Sequence, residues 1–396
     1  MRRLHRGHSR VAAFAGAVLL TLGVASPALA QTLGGEKLAS PHRTVSLLLG
    51  AQPLPEVNAE TWILADATTG DVLAQKGSHV RRPPASTLKM LTALTVMPQT
   101  SPDQTIRASK AAAYTYGSRV GLKPGRRYTL DQLWYAVFLP SANDAAIAVA
   151  EANGGVGKTI AQMNRLAKTL QANDTVAKTP NGLDTPGQVS SAYDLALIAR
   201  AGMLRPDFAK YAGTVRATFP DRTGKASHPI YTTNRLLKHG YHGMTGVKTG
   251  FTSRAGRTYV GMATRNGTTL IVALMGVHES SEFAARKLLD WGFANSGMVT
   301  PIGQLVAPLP EGATPSVSSS SSSSSSPSGE PEPSSSSSPE SSTRSKAANV
   351  IVKAPASVSM AMLGGAGLVA VAIGSASLVA AGLRRRDPDG RGPDTE

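Results

Sequence analysis

Residues 246–275 read GVKTGFTSRAGRTYVGMATRNGTTLIVALM, and this stretch decides the fold class. It contains two β-rich runs, Tyr259-Val260-Gly261-Met262-Ala263 and Thr269-Leu270-Ile271-Val272-Ala273-Leu274-Met275. Apolar runs this short, rich in β-branched and aromatic residues, read as strands. A closing helix is expected from Glu282 to Phe293. Toward the N-terminus, Thr61–Asp66 and Val72–Ala74 read as two strands around the tight turn Thr68-Thr69-Gly70-Asp71. Between these outer strands the pattern is helical: Ser86–Val96, Leu130–Leu139 entered through Thr129, Asn143–Ala152 ended by Gly154-Gly155, Ile160–Leu170 and Ser191–Met203. Strands at both ends with helices between them predict an α+β fold whose first and last strands share a sheet. No internal repeat is visible.

The ends of the chain are of a different kind. Residues 1–30 run from Arg2, Arg3, Arg6 and Arg10 through an apolar stretch to Ala28-Leu29-Ala30, the pattern of a secretory signal peptide. Residues 31–310 are then the folded domain. Residues 311–356 contain the Ser runs 318–326 and 334–338 among Pro and Glu, too little apolar surface to fold, and predict a disordered stalk. Residues 357–383 carry no charge and lead into Arg384-Arg385-Arg386, which predicts a transmembrane helix with residues 384–396 as a cytoplasmic tail. The expected localisation is extracytoplasmic, the domain tethered to the outer face of the cell membrane.

Composition narrows the chemistry. The 396 residues include 41 Lys+Arg, 25 Asp+Glu and no Cys, which excludes disulfide scaffolds, Cys-ligated metals and a thiol nucleophile. Of the net +16, the signal carries +4, residues 311–346 carry −2, Lys353 adds +1 and the tail adds nothing, leaving +13 on residues 31–310. A basic exported domain favours acidic polymers such as cell wall or anionic lipid. Export and the lack of an aromatic-interleaved basic motif argue against nucleic acid. The eight His contain no H-E-x-x-H pair, so no metal is expected, and no cofactor.

Three short motifs carry the chemistry: Ser86-Thr87-Leu88-Lys89, Ser141-Ala142-Asn143 and Lys248-Thr249-Gly250. Each alone reads as well as a helix cap, a loop or a strand-edge turn, but each pattern occurs once, and together they are specific. On a helix Lys89 lies one turn above Ser86, close enough to take the hydroxyl proton if burial or a neighbouring cation lowers its pKa. Lys248 can be that cation. Ser86 near a helix start also offers its own N–H to an oxyanion. Ser141 can relay a proton between the two lysines and a departing amine, and the Asn143 amide can fix Lys89. Gly250 lets a substrate backbone approach a strand, with Lys248 and Thr249 on the side that receives a carboxylate.

These motifs, in this order, resemble the D-alanyl-D-alanine carboxypeptidases, which are low-molecular-mass penicillin-binding proteins. The resemblance covers roughly residues 55–304. It extends through Asn181-Gly182-Leu183-Asp184-Thr185-Pro186-Gly187-Gln188, Ser190-Ser191-Ala192-Tyr193-Asp194-Leu195 and Lys287-Leu288-Leu289-Asp290-Trp291-Gly292-Phe293. It implies a penicillin-binding protein/β-lactamase-like fold, an antiparallel sheet flanked by helices beside a helical lobe. It also implies Ser86 as nucleophile, Lys89 as base, Ser141 and Asn143 as the second element, and a substrate strand of Lys248, Thr249, Gly250, Phe251 and Thr252, with the Phe251 N–H in the oxyanion hole. The implied substrate is a peptidoglycan stem pentapeptide, with β-lactams as covalent inhibitors. Two features depart from the family pattern. The stretch His278–Arg286 has no clean match to the arginine that many relatives use for the terminal carboxylate, leaving Arg286 as the nearest, and the Ser-rich stalk replaces a second β-rich domain.

Other readings are weaker. Ala152–Thr159 looks like a phosphate loop, but the residues before it read as helix rather than strand. No Glu occurs between Glu151 and Glu279, which disfavours the class A β-lactamase route to deacylation. A D,D-transpeptidase uses the same residues with an amine acceptor, and a penicillin-binding scaffold without turnover uses them with no second step.

Overall fold

The structure, a computed structural model, describes residues 32–310. The expected signal peptide, stalk, transmembrane helix and tail lie outside the described residues. Among those described, no helix is long and apolar enough to cross a membrane.

After a 3-10 turn at Glu36–Ala39 come the first strands, β1 (Arg43–Val45), β2 (Ala59–Asp66) and β3 (Asp71–Lys76). Two short antiparallel pairs lie within the helical stretch, β4 (Thr105–Arg107) with β5 (Arg127–Thr129) and β6 (Arg216–Pro220) with β7 (Ser227–Tyr231). The chain then returns as β8 (Met244–Thr252), β9 (Gly256–Arg265) and β10 (Thr268–Val277), and ends with β11 (Gly303–Gln304). The main sheet is antiparallel in the order β1-β3-β2-β10-β9-β8, with β11 beside β3. The last long strand thus pairs with the first, Ala273 opposite Ile63, as an α+β fold with a shared sheet requires. β8 is left as an edge.

The helices are α1 (Lys89–Val96), α2 (Lys110–Ala113), α3 (Leu130–Phe138), α4 (Asn143–Ala152), α5 (Val156–Thr169), α6 (Ala192–Met203), α7 (Pro206–Ala212), α8 (Arg235–Lys238) and α9 (Ser281–Ala294). Period-2 alternation sorts the central strands into two cores. Ile63, Ala65, Ile271, Ala273 and Met275 share one core with buried residues of α1, α4 and α6, with α6 packed directly on β2 and β10. Trp62, Leu64, Leu270, Val272 and Leu274 face Leu288, Leu289 and Trp291 of α9. Each such large apolar side chain contributes about 1.5–3 kcal/mol by leaving water, so both faces of the sheet are fixed. Every residue of α1 is buried. A helix surrounded on all sides holds its first residue rigidly, and that residue is Lys89.

Local chemistry explains most helix starts. Thr129 and Gln132 form a reciprocal capping box at α3, and the Ser191 and Ser280 hydroxyls cap α6 and α9. Two boundaries differ from expectation. The helix expected from Ser86 opens instead as a 3-10 turn, Ala85–Leu88, before α1. α5 starts at Val156 rather than Ile160, because Gly154 and Gly155, at φ 96 and 114, turn the chain sharply out of α4. The Gly-rich segment therefore joins two helices, the context that disqualifies a phosphate loop.

Candidate active site

The site lies where the start of α1, the segment before α4 and the free edge of β8 meet. Ala85 holds φ 50, a left-handed conformation that a Cβ-bearing residue adopts at a cost of about 1–3 kcal/mol. Its surroundings over-determine it. The Pro84 carbonyl accepts from the Thr87 hydroxyl at 2.6 Å and from the Thr258 hydroxyl at 3.0 Å. A Cβ on Gly182 would overlap the Ala85 carbonyl oxygen, so only glycine allows that approach. The resulting turn presents Ser86.

Ser86 Oγ lies 2.8 Å from Lys89 Nζ. The Lys89 amine also donates to Asn143 Oδ1 at 2.7 Å and to the Asn181 carbonyl at 2.7 Å, so three neighbours fix its position. Burial pushes its pKa well below the ordinary lysine value, and the Lys248 charge adds to this, with Asp144 opposing. Lys248, 1% exposed, donates to Ser141 Oγ at 2.9 Å and to the Thr249 carbonyl at 2.8 Å. Burial alone pushes the Lys248 ammonium down to about 7. Burial thus lowers both lysines from the value near 10.5 that they would show in water, Lys248 to about 7.

The remaining sequence-identified residues are held as firmly. Ser141 sits at φ 61. The Asn143 amide has its orientation set by donation to the Tyr116 carbonyl at 2.8 Å, while its N–H reaches the Ser118 carbonyl at 2.7 Å. Buried Asp144 accepts the N–H groups of Val120, Gly121 and Leu122, which ties the same loop to α4. Thr249 Oγ1 pairs with Thr233 Oγ1 at 2.7 Å, and Thr252 Oγ1 donates to Asp184 Oδ1 at 2.8 Å. A Cβ on Gly250 would stand 2.8 Å from the Ser86 nitrogen, so a side chain there would separate strand from turn. Lys248 reaches the Thr249 carbonyl from the cleft, which places the Thr249 backbone on the free edge. Strand alternation then puts the Phe251 N–H and C=O on that edge too.

Ser86, Lys89, Ser141, Asn143, Lys248, Thr249, Gly250, Phe251 and Thr252 therefore converge, whereas Arg286 does not join them. One expected contact differs: Lys248 faces Ser141, whereas Lys89 faces Ser86, Asn143 and Asn181, with no direct hydrogen bond from Lys89 to Ser141. Sequence reasoning missed Arg235 and Arg257, which line a cleft of about 520 Å³ together with Ser86, Ser141, Thr249 and Phe251. Arg235 opens α8 directly after Asn234, thirteen positions before Lys248. The family resemblance points instead to the stretch before the closing helix. There Arg286 pairs with Asp290 at 3.3 Å and does not line the cleft. The Asn181 carbonyl was also missed, since a backbone acceptor has no residue-type signature.

A serine beside a buried amine, a second buried lysine behind a second serine, and a bare strand edge that brings N–H groups to the same point define an active-site serine acyl-transfer enzyme. The family model described as D-alanyl-D-alanine carboxypeptidase matches residues 49–279, and the chain belongs to that family of serine hydrolases. A D-alanyl-D-alanine carboxypeptidase of Mycobacterium tuberculosis is 42% identical over 252 residues, 62% of this chain and 86% of the relative. One from Bacillus subtilis is 33% identical over 244 residues, 60% of this chain and 62% of the relative. The crystal structure of a Mycobacterium tuberculosis D-alanyl-D-alanine carboxypeptidase is similar at TM-score 0.62 and 40% identity, covering 65% of this chain and 99% of that one. A Streptomyces DD-transpeptidase is similar at TM-score 0.58 and 29% identity, covering 61% of this chain and 100% of that one.

Proposed function

We propose that the chain removes the terminal D-Ala from peptidoglycan stem pentapeptides through an acyl-enzyme on Ser86. The observation that carries this reading is the 2.8 Å contact between Ser86 Oγ and the fully buried amine of Lys89. Neutral Lys89 takes the hydroxyl proton as Ser86 Oγ bonds to the penultimate D-Ala carbonyl carbon. The N–H groups of Ser86 and Phe251 receive the oxyanion, each donor worth about 3–4 kcal/mol in comparable serine enzymes. The tetrahedral species collapses by breaking the C–N bond. The departing amine gains a proton from the Ser141 hydroxyl, which Lys248 replenishes through their 2.9 Å contact. Water then attacks the ester, its proton passing through Ser141 to Lys248 while Lys89 returns its proton to the Ser86 oxygen, releasing a tetrapeptide stem and free Ser86. Arg235 and the Thr249 hydroxyl, both on the cleft wall, hold the terminal carboxylate. A β-lactam enters by the same attack but leaves its amine tethered, so its adduct hydrolyses slowly.

The same arrangement supports a D,D-transpeptidase if an amine replaces water, and the likeness to the Streptomyces DD-transpeptidase favours keeping that second reading. The sequence at both ends supports an exported enzyme tethered to the outer face of the cell membrane by residues 357–383, on a stalk of residues 311–356. The test is D-Ala release from a stem pentapeptide by the full chain and by Ser86→Ala. Release by the wild type alone is expected. Absence of release alongside penicillin labelling of Ser86 would move the reading to a transpeptidase or a binding scaffold.

A further inference from the structure

The geometry points to Asp184 as the residue that reads the third position of the stem peptide, selecting a side chain that ends in an ammonium. This rests on the carboxypeptidase reading above, because that reading fixes the direction of the bound peptide. Two anchors set it: the terminal carboxylate lies at Thr249 and Arg235, and the acylated carbonyl lies at the N–H groups of Ser86 and Phe251. β8 is an unpaired sheet edge, and an extended peptide that adds to it gains main-chain hydrogen bonds. With its C-terminus at Thr249, the peptide runs antiparallel to β8. At about 3.3 Å per residue, the residue before the acylated D-Ala falls beside Thr252.

What stands beside Thr252 is the carboxylate of Asp184. Its Oδ1 accepts the Thr252 hydroxyl at 2.8 Å, which pins the side chain against the end of the strand. Asp184 is exposed, and among the described residues it forms no salt bridge. This is unusual for its surroundings, since the following turn carries exposed Arg254 and residues 31–310 have a net charge of +13 out of the chain's +16. Its loop is not free to drift. The Asn181 carbonyl holds Lys89, the Gln188 side chain bridges Lys178, Thr179 and Leu183, and Gly182 packs on Ala85. A fixed, unpaired carboxylate at the position of the third residue matches the ammonium of a diamino acid side chain and discriminates against a capped one. Asp184 acts here in substrate binding alone and takes no part in the proton transfers.

The experiment compares two stem pentapeptides on the full chain, one with L-lysine at the third position and one with Nε-acetyl-lysine. Wild type should favour the free amine in kcat/KM by about five-fold at low salt, the size of one partly exposed ion pair, and less at high salt. Asp184→Asn, whose amide oxygen still accepts from Thr252, should bring the ratio close to one. Equal wild-type rates on the two peptides would overturn the proposal without recourse to any variant. A ratio that survives in a folded D184N protein, checked by circular dichroism, would also overturn it, because the amine would then be read elsewhere. No D-Ala release from either peptide would overturn the carboxypeptidase reading itself, and this proposal with it.

Discussion

Replacing Gly250 by alanine tests whether the contact between β8 and the Ser86 turn sets the rate. The added Cβ would lie 2.8 Å from the Ser86 nitrogen and 3.1 Å from the Ala85 Cβ, and would strike the Thr258 hydroxyl. The Thr258 side chain cannot simply rotate away without losing its bond to the Pro84 carbonyl. Ordinary contact begins near 3.4 Å, so strand and turn must separate by the difference from 2.8 Å, about 0.6 Å. That displacement falls between the two N–H groups that receive the oxyanion, those of Ser86 and Phe251. Loss of one such donor costs about 10²–10³ in rate, whereas overpacking of this kind costs the fold only about 1–3 kcal/mol. G250A should therefore remain folded and lose at least about a hundred-fold in the second-order rate of acylation by a fluorescent penicillin. Thermal melting of the same sample checks the fold. A folded G250A protein that acylates within about five-fold of wild type would refute the reasoning, since the oxyanion site would then tolerate a separated strand.

Two further outcomes follow from the cleft and its lysines. Arg235→Gln should lower kcat/KM for the pentapeptide about ten-fold or more while barely changing that for the peptide with an amidated C-terminus, in steady-state D-Ala or D-Ala-amide release; equal losses on both would remove Arg235 from the carboxylate site. Burial lowers the folded-state pKa of both Lys89 and Lys248 below 10.5, so between each folded value and 10.5 the unfolded chain binds more protons, and their contribution to stability should rise with pH toward 10.5, from about 7 in the case of Lys248. Urea midpoints measured against pH should show this slope in the wild type and a shallower one in Lys89→Met, and identical slopes would mean that Lys89 is not held neutral.

Much of this site was legible because its chemistry sits in short, local spacings. A three-residue interval on a helical turn is enough to bring an amine to a hydroxyl, and Ser86 and Lys89 keep that relation although their first turn is 3-10 rather than α. The sheet was legible because β2, β9 and β10 are apolar on both faces, as buried inner strands are. What escaped depends on contacts between distant segments. The Asn181 carbonyl approaches Lys89 across 92 positions, and Thr252 finds Asp184 across 68. The β6–β7 hairpin escaped because its five-residue strands carry Pro220 and Pro229 and are largely exposed, so no alternating apolar face marks them. Arg235 escaped because a four-residue helix shows no periodicity.

The cleft gathers features that ordinary stability rules disfavour, and their positions have a common logic. Ala85 and Ser141 hold left-handed backbone, two lysines are buried, and β8 keeps an open edge. Each is costly alone, and an open edge also invites pairing with another chain. Each is anchored by an element with no such conflict: α1 is buried throughout, α4 is tied by Asp144, and β9 and β10 back the edge with apolar residues. The 3-10 turn that carries Ser86 packs against β8 beside Gly250, and the cleft lies along the same strand. The buried lysines depend on the same enclosure. Admitting water to Lys89 would restore its ordinary pKa and leave Ser86 without a base, so the packing of α1 and the reactivity of Ser86 are one property of the fold.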